Sequence, residues 1–399
     1  MRISTSAMHY NALQNMLTQQ ATLSKTQNQI ALGRRVTTPA DDPVASVHIM
    51  ELERSLQEND QYKANADMAQ NRLALEEQAL DDAGSLLQRI RELSVQGNNA
   101  TIDAQNRRTI ATEIRGLTND LMNMANRKDA NGEFLFSGYS TLTQPFVSSG
   151  NTVNYQGDQG SRQLAIGDTQ RIADNHPGAE VFMNIGEGNG TYVTGAGAGN
   201  TGTAVIGGGT VTNIANWVPD DYTLRFTDAL GNYEIVDSTA TVVGTGTYTT
   251  NSSIAFRGTS IPITGTPAAN DTFTISRSRT EDIFTTLNDL ATALENNAET
   301  PATKAQFNTR MATALQQIDQ AQDHFSTVRA QVGTRLGSLD NAVDSLESQK
   351  VEFQSMASEL RDLDYAEAIT RMNQQLIGLQ AAQASYSRIS QLSLFDYLR

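Results

Sequence analysis

The chain has 399 residues, a formal net charge of −15, 6% aromatics, one Trp and no Cys. That charge argues against a nucleic-acid surface, which needs clustered Lys and Arg, and the missing Cys excludes disulfides, Cys-ligated zinc and a Cys nucleophile. Few aromatics among abundant Ala, Gln, Asn, Ser and Thr fit extended helices and open β-structure better than a compact enzyme core.

The opening MRISTSAMHYNALQ has no apolar run of the Sec signal-peptide type, and no stretch approaches the ~20 apolar residues that span a bilayer, so membrane insertion is not expected. Met16, Leu23 and Ile30 recur every seven residues and predict a first helical segment. It stops at LGRRVTTPADDPVAS, residues 32 to 46. Gly33 fits the C′ position of a terminating helix, and Pro39 and Pro43 disfavour helix at the residue before each. Asp42 and Pro43 then suit the N-cap and first position of the next helix. That second helix carries Ala66, Leu73, Leu80 and Leu87 at sevenfold spacing, with Ala69, Ala83 and Ile90 beside them. A third covers about 104–126, with Ile110, Ile114, Leu117 and Leu121 on one stripe.

Residues 147–280 change character to Gly, Thr, Val and Asn. YTLRFTDALGNYEIVD (222–237) reads as two strands around a turn, and 253–278 as further short strands with Gly and Pro punctuation. The Gly-rich 188–210 reads as a surface loop or short ribbon.

The helical signal returns from residue 281. Met311, Ile318, Phe325, Val332, Leu339, Leu346, Phe353 and Leu360 keep a strict seven-residue period, with Ala314, Ala321, Val328, Ala342, Met356 and Leu363 three further on. Arg335 and Gln349 interrupt that second row. A seam held this long is a coiled-coil signal, and its helix would be roughly 80 Å long. The seam breaks at ELRDLDYAEAI, where Asp364 can cap a new helix and Glu367 complete a capping box. Tyr365, Met372, Leu379 and Tyr386 continue out of phase, interleaved with Ile369 and Leu376.

Both arms therefore stop and restart, and the two breaks are expected side by side as a hinge of Gly33, Pro39, Asp42, Pro43 and Asp364. Arg34 and Arg35 could pair with Asp362 or Asp364 there, or reach a neighbouring subunit. The expected fold class is mainly α with an inserted β domain: a discontinuous long-helix coiled-coil bundle from both chain ends, plus a β-rich middle domain. The expected domains are terminal coiled-coil segments 1–43 and 364–399, a helical bundle core 44–146 and 281–363, and the β-rich 147–280.

The residues offer little chemistry. His9, His48, His176 and His324 have no second His at i+3 or i+4. GEGNG (186–190) lacks the lysine and the strand–helix context of a phosphate loop. The paired carboxylates in ADD and RDLD sit at helix starts, where capping accounts for them. No catalytic, cofactor or metal site is predicted, and the chain does not read as an enzyme. Its apolar seams argue for assembly instead. Isolated helices of 25 to 40 residues, or pairs of them, are marginal in water. Met16, Leu23, Ile30, Tyr365, Ile369, Met372, Leu376, Leu379 and Tyr386 thus mark an assembly interface expected to order against neighbouring subunits.

LGRRVTTPADDPVAS resembles the N-terminal signature of the bacterial flagellin family. LLQRIRELSVQGNNAT (86–101) and EIRGLTNDLMNMAN (113–126) are similar to its first core helices, and 360–399 to its C-terminal segment. MRIST, KDANGEFLFSGYSTLTQPF (128–146) and the closing SLFDYLR look like the members of that family at the hook–filament junction. The resemblance implies a structural adapter of the bacterial flagellum, exported unfolded through the flagellar type III apparatus. It implies a homo-oligomeric ring between hook-associated protein 1 and flagellin, with an export chaperone at the C-terminal segment. The terminal segments would line an inner tube, the bundle would form the outer wall, and the β domain would project outward. A minor flagellin that forms filament, and a secreted coiled-coil adhesin, are the alternatives.

Overall fold

The computed structural model describes residues 5–150, 152–296 and 299–391. The first four residues and the SLFDYLR ending lie outside them. The fold class is the expected one: long helices from both ends of the chain, with a β-rich region between. The helices are α1 (Thr5–Leu32), α2 (Pro43–Gly97), α3 (Ala104–Ala125), α4 (Ile283–Glu295), α5 (Pro301–Arg361) and α6 (Tyr365–Gln391). Their starts follow local chemistry. The carboxylates of Asp42, Asp103 and Asp282 each accept the amide three residues on, at 3.0, 2.7 and 2.8 Å. Pro43 and Pro301 stand at the first helical position, where a missing N–H costs nothing.

The chain forms two compact units, Met1–Ala64 with Ala342–Arg399, and Asn65–Asn341. Both draw on α2 and α5. In the second unit Leu73, Leu80, Leu87, Ile114, Leu121, Met311, Ile318, Phe325 and Val332 are fully buried, so the sevenfold seams are core. A helix not separately expected, α4, packs on α3 and buries Phe284, Leu287, Leu290 and Leu294. Its apolar face was merged at sequence level with the long helix that follows.

The strands are β1 (Phe146–Ser149), β2 (Thr152–Tyr155), β3 (Gln163–Ala165), β4 (Arg171–Ala173), β5 (Ile185–Gly186), β6 (Tyr192–Ala196), β7 (Val205–Ile206), β8 (Thr210–Val211), β9 (Tyr222–Phe226), β10 (Asn232–Val236), β11 (Val242–Thr247), β12 (Ser253–Phe256), β13 (Thr259–Thr264), β14 (Thr272–Arg277) and β15 (Thr280–Glu281). A five-stranded sheet runs β11-β10-β9-β14-β6, and a second runs β12-β13-β7 with β8 also on β13. Tyr192, Tyr222, Phe226, Ile261, Ile263, Phe273 and Ile275 form the core of this region.

The Gly-rich 188–210 is not simply a surface loop. It supplies β6, β7 and β8, and Tyr192 and Ile206 are fully buried. Its glycines allow close approach: a Cβ on Gly209 (φ +63°) would lie 2.6 Å from the Ser260 carbonyl oxygen. The glycines here meet a requirement for tight backbone packing.

His176 is buried, with Nδ1 at 2.6 Å from the Glu76 carboxylate and Nε2 at 3.2 Å from Gln331. Arg335, an interruption of the seam, donates to the Asn175 carbonyl at 3.2 Å. Nearby, buried Arg72 donates to Asp129 (2.9 Å) and the Phe134 carbonyl (2.9 Å), and Asp174 pairs with Arg162 at 2.5 Å. These groups tie the excursion through residues 128–178 to α2 and α5 of the same unit.

Candidate assembly site: the terminal helix pair and its joint

In the first unit α1 and α6 pack against each other. They run antiparallel: His9 meets Tyr386 edge-to-face at 5.8 Å, while Gly33 at the end of α1 lies against Tyr365 at the start of α6. Leu23 is buried and Met16, Ile30, Met372, Leu379 and Tyr386 are half-buried. The other rows differ from the expected interleaving. Ala368 is buried, and Gln375 and Ala382 are half-buried, whereas Tyr365, Ile369 and Leu376 are exposed. The second row of the α6 seam thus falls one residue before Ile369 and Leu376. A slip also occurs late in α5, where Ala357 is buried and Met356 exposed.

The pair leaves a second apolar surface unburied. Tyr10, Leu13 and Leu17 share one face of α1 and are 62%, 46% and 51% exposed. Ile369, Leu376 and Ile377 do the same on α6. At the start of α2, Val44, Val47 and Met50 are also exposed, a cluster the sequence reading missed. Its spacing of three was visible, but nothing local distinguished it from the buried Ala45 and Ile49 beside it.

The joint brings both chain breaks together. Gly33 has φ +67°, and the Arg34 amide donates to the Gln29 carbonyl at 3.1 Å, the long bond of a Schellman ending. The Leu363 amide donates to the Gly33 carbonyl (3.0 Å) and the Arg35 amide to the Arg361 carbonyl (2.8 Å), with Arg34 and Asp362 paired antiparallel between them. Arg35 reaches Asp42 at 3.0 Å and the Leu360 carbonyl at 2.7 Å. Its carboxylate partner is therefore Asp42, not Asp362 or Asp364. Asp41 accepts from the Thr37 and Thr38 amides at 3.0 and 2.8 Å and pairs with Lys25 at 2.6 Å, closing the loop over the exposed Pro39. The ammonium of Lys25, then the Thr37 hydroxyl, holds the Asp41 carboxyl far below the ordinary carboxylate range. The Ala45 amide, then Arg35, lowers that of Asp42. Val36, Ala45 and Ile49 bury a small apolar cluster against Leu360.

Asp364 caps α6, accepting the Ala366 and Glu367 amides at 2.9 and 3.1 Å. The Glu367 carboxylate lies 3.8 Å from Arg371. Lys63–Glu347 and Lys350–Asp60 ion pairs and an Asn59 bond to the Leu346 carbonyl join α2 to α5 in this unit.

Two helical regions from opposite chain ends, enclosing a β-rich insertion, define a flagellin-type subunit. Residues 3–141 match the bacterial flagellin N-terminal helical region and residues 315–398 the C-terminal helical region. The crystal structure of Xanthomonas campestris FlgL superimposes with a TM-score of 0.72 at 35% identity, covering 77% of this chain and 99% of that one. The flagellar hook-associated protein-3 of Legionella pneumophila gives 0.75 at 31% identity, covering 78% and 98%. The flagellar hook-associated protein 3 of Salmonella typhimurium is 32% identical over 185 residues, 46% of this chain and 58% of that protein. The alignment to this curated relative thus spans little more than half of its length. The chain belongs to the bacterial flagellin family, and within it to the group of hook-associated protein 3.

Proposed function

We propose that the chain is a structural adapter at the hook–filament junction of the bacterial flagellum. The observation that carries this reading is the terminal helix pair, which buries one row of each helix and leaves Tyr10, Leu13, Leu17, Ile369, Leu376 and Ile377 uncovered. A pair so short and so apolar on its outer face gains stability by packing against further copies. Kinship with hook-associated protein 3 supports the location. Copies form a ring between hook-associated protein 1 and the first flagellins. Segments 1–43 and 364–399 line the inner tube, 44–146 and 281–363 form the outer wall, and 147–280 projects outward. Gly33, Pro39, Asp42, Pro43 and Asp364 form the hinge between the first two layers. The subunit travels unfolded through the type III apparatus, its C-terminal segment held by an export chaperone. The role is structural rather than enzymatic.

Deleting residues 370–399 tests this. The truncated chain, supplied to cells lacking the native one, should keep a folded second unit by circular dichroism and fail to join hook to filament. Filament growth on the truncated chain would sink the proposal.

A further inference from the structure

A cavity of about 450 Å³ lies within the second unit, between α4, α5 and β6. That is the size of a small-molecule pocket. Towards one end stands Glu281, half-buried. Its Oε2 accepts from the Thr286 hydroxyl at 2.9 Å and from the Gln317 carboxamide at 3.0 Å. Both donors are uncharged, and Glu281 makes no ion pair among the described residues. Burial, together with the carboxylates of Glu187, Asp289 and Asp282, pushes its carboxyl above the ordinary 4.5, against the pull of the Thr286 bond. A half-buried carboxylate in such surroundings lacks a cation.

The other end has a different want. Thr309 also lines the cavity, about two turns before Gln317 and so roughly 12 Å from it along α5. Thr309 is buried, and its Oγ1 has no hydrogen-bond partner. One turn on, the Thr313 hydroxyl donates to the Thr309 and Thr194 carbonyls, at 3.1 and 3.0 Å. The Thr292 hydroxyl on α4 likewise donates to the Asn288 carbonyl at 2.8 Å. Buried hydroxyls are almost always bonded, so the Thr309 orphan points to a group the chain does not supply. Beside it is the exposed guanidinium of Arg310, a cation too far along α5 to serve Glu281 through its backbone position. Between the two ends the lining is apolar and buried: Leu290, Ala293 and Ala314.

We propose that this cavity binds a linear amino acid with a terminal ammonium, of the lysine kind. The ammonium meets Glu281, the methylenes lie over Leu290, Ala293 and Ala314, and the carboxylate meets the Thr309 hydroxyl and Arg310. An extended ligand of this class has its two charges far enough apart to reach both ends. The inference goes beyond the junction role and does not depend on it.

Lysine, norleucine and cadaverine are titrated into the full chain by isothermal calorimetry. Lysine should bind. Norleucine, without the terminal ammonium, and cadaverine, without the carboxylate, should each bind about tenfold more weakly or less. Glu281→Gln keeps an oxygen for Thr286 and Gln317 but loses the charge, and Thr309→Val keeps the shape but loses the hydroxyl. Both should melt as the native chain does by circular dichroism and weaken lysine about tenfold. Arg310→Ala, at an exposed position, should fold in any case and show the same loss. No binding of lysine at ~10 mM, equal binding of norleucine or cadaverine, or undiminished binding by the folded variants would overturn the inference.

Discussion

The Tyr365 hydroxyl closes over Gly33, so that a Cβ built on the glycine would lie 2.8 Å from it. The same glycine has φ +67°, where a side chain is strained in any surroundings. Gly33→Ala should therefore weaken the joint by about 1–2 kcal/mol. Hydrogen exchange at the Arg34 and Leu363 amides should speed up roughly tenfold, in line with ~1.4 kcal/mol. Adding Tyr365→Phe removes the contact but not the backbone strain, so it should restore only part of the protection.

The joint should also open in acid. Asp41 and Asp42 both have carboxyl groups lowered from an ordinary value of 3.8. A lowered acid stabilises the folded state above its unfolded value, and that contribution is lost as pH falls below it toward the folded value. Limited proteolysis should find the 33–43 segment resistant near neutrality and progressively cut below about pH 4. Asp41→Asn should be cut readily at both.

Glu76 has the opposite sign. Burial is the main cause pushing its carboxyl above the ordinary 4.5, and His176 opposes it. A raised acid binds its proton more tightly when folded, so its contribution is fullest below 4.5 and declines as pH rises through the folded value. Glu76→Gln should flatten the pH dependence of the second unit's stability above pH 4.5 in chemical denaturation. His176→Ala removes the hydrogen-bond partner of the buried Glu76 carboxyl group, and should cost about 3 kcal/mol near neutrality.

Burial separates folding residues from assembly residues. Leu80→Ala, at a site with no exposed surface, should lower the unfolding free energy by about 3 kcal/mol. Leu17→Ser, at a half-exposed site, should change it by less than ~0.5 kcal/mol while reducing incorporation at the junction. Equal effects of the two on monomer stability would contradict the assignment of the α1 outer row to assembly.

The amino-acid sequence by itself determined the fold class, the long helical rods and their breaks at Gly33 to Pro43 and at Asp364. A seven-residue period, a Gly at the end of one helix and Asp-Pro at the start of the next act over a few residues, so Leu73, Leu80, Leu87, Ile318 and Phe325 were readable as core. The tertiary structure decided the rest. Which row of α6 faces α1 depends on how two helices settle: Ala368 and Ala382 let the backbones approach, and the larger Ile369 and Leu376 turn outward. The Glu76–His176 and Arg72–Asp129 pairs join residues 100 and 57 apart, and no local period records such a contact. The strands within 188–210 likewise exist because β13 and β14 supply their hydrogen bonds. Short-range backbone preferences are written in neighbouring residues, whereas burial and charge pairing are set only when distant segments meet.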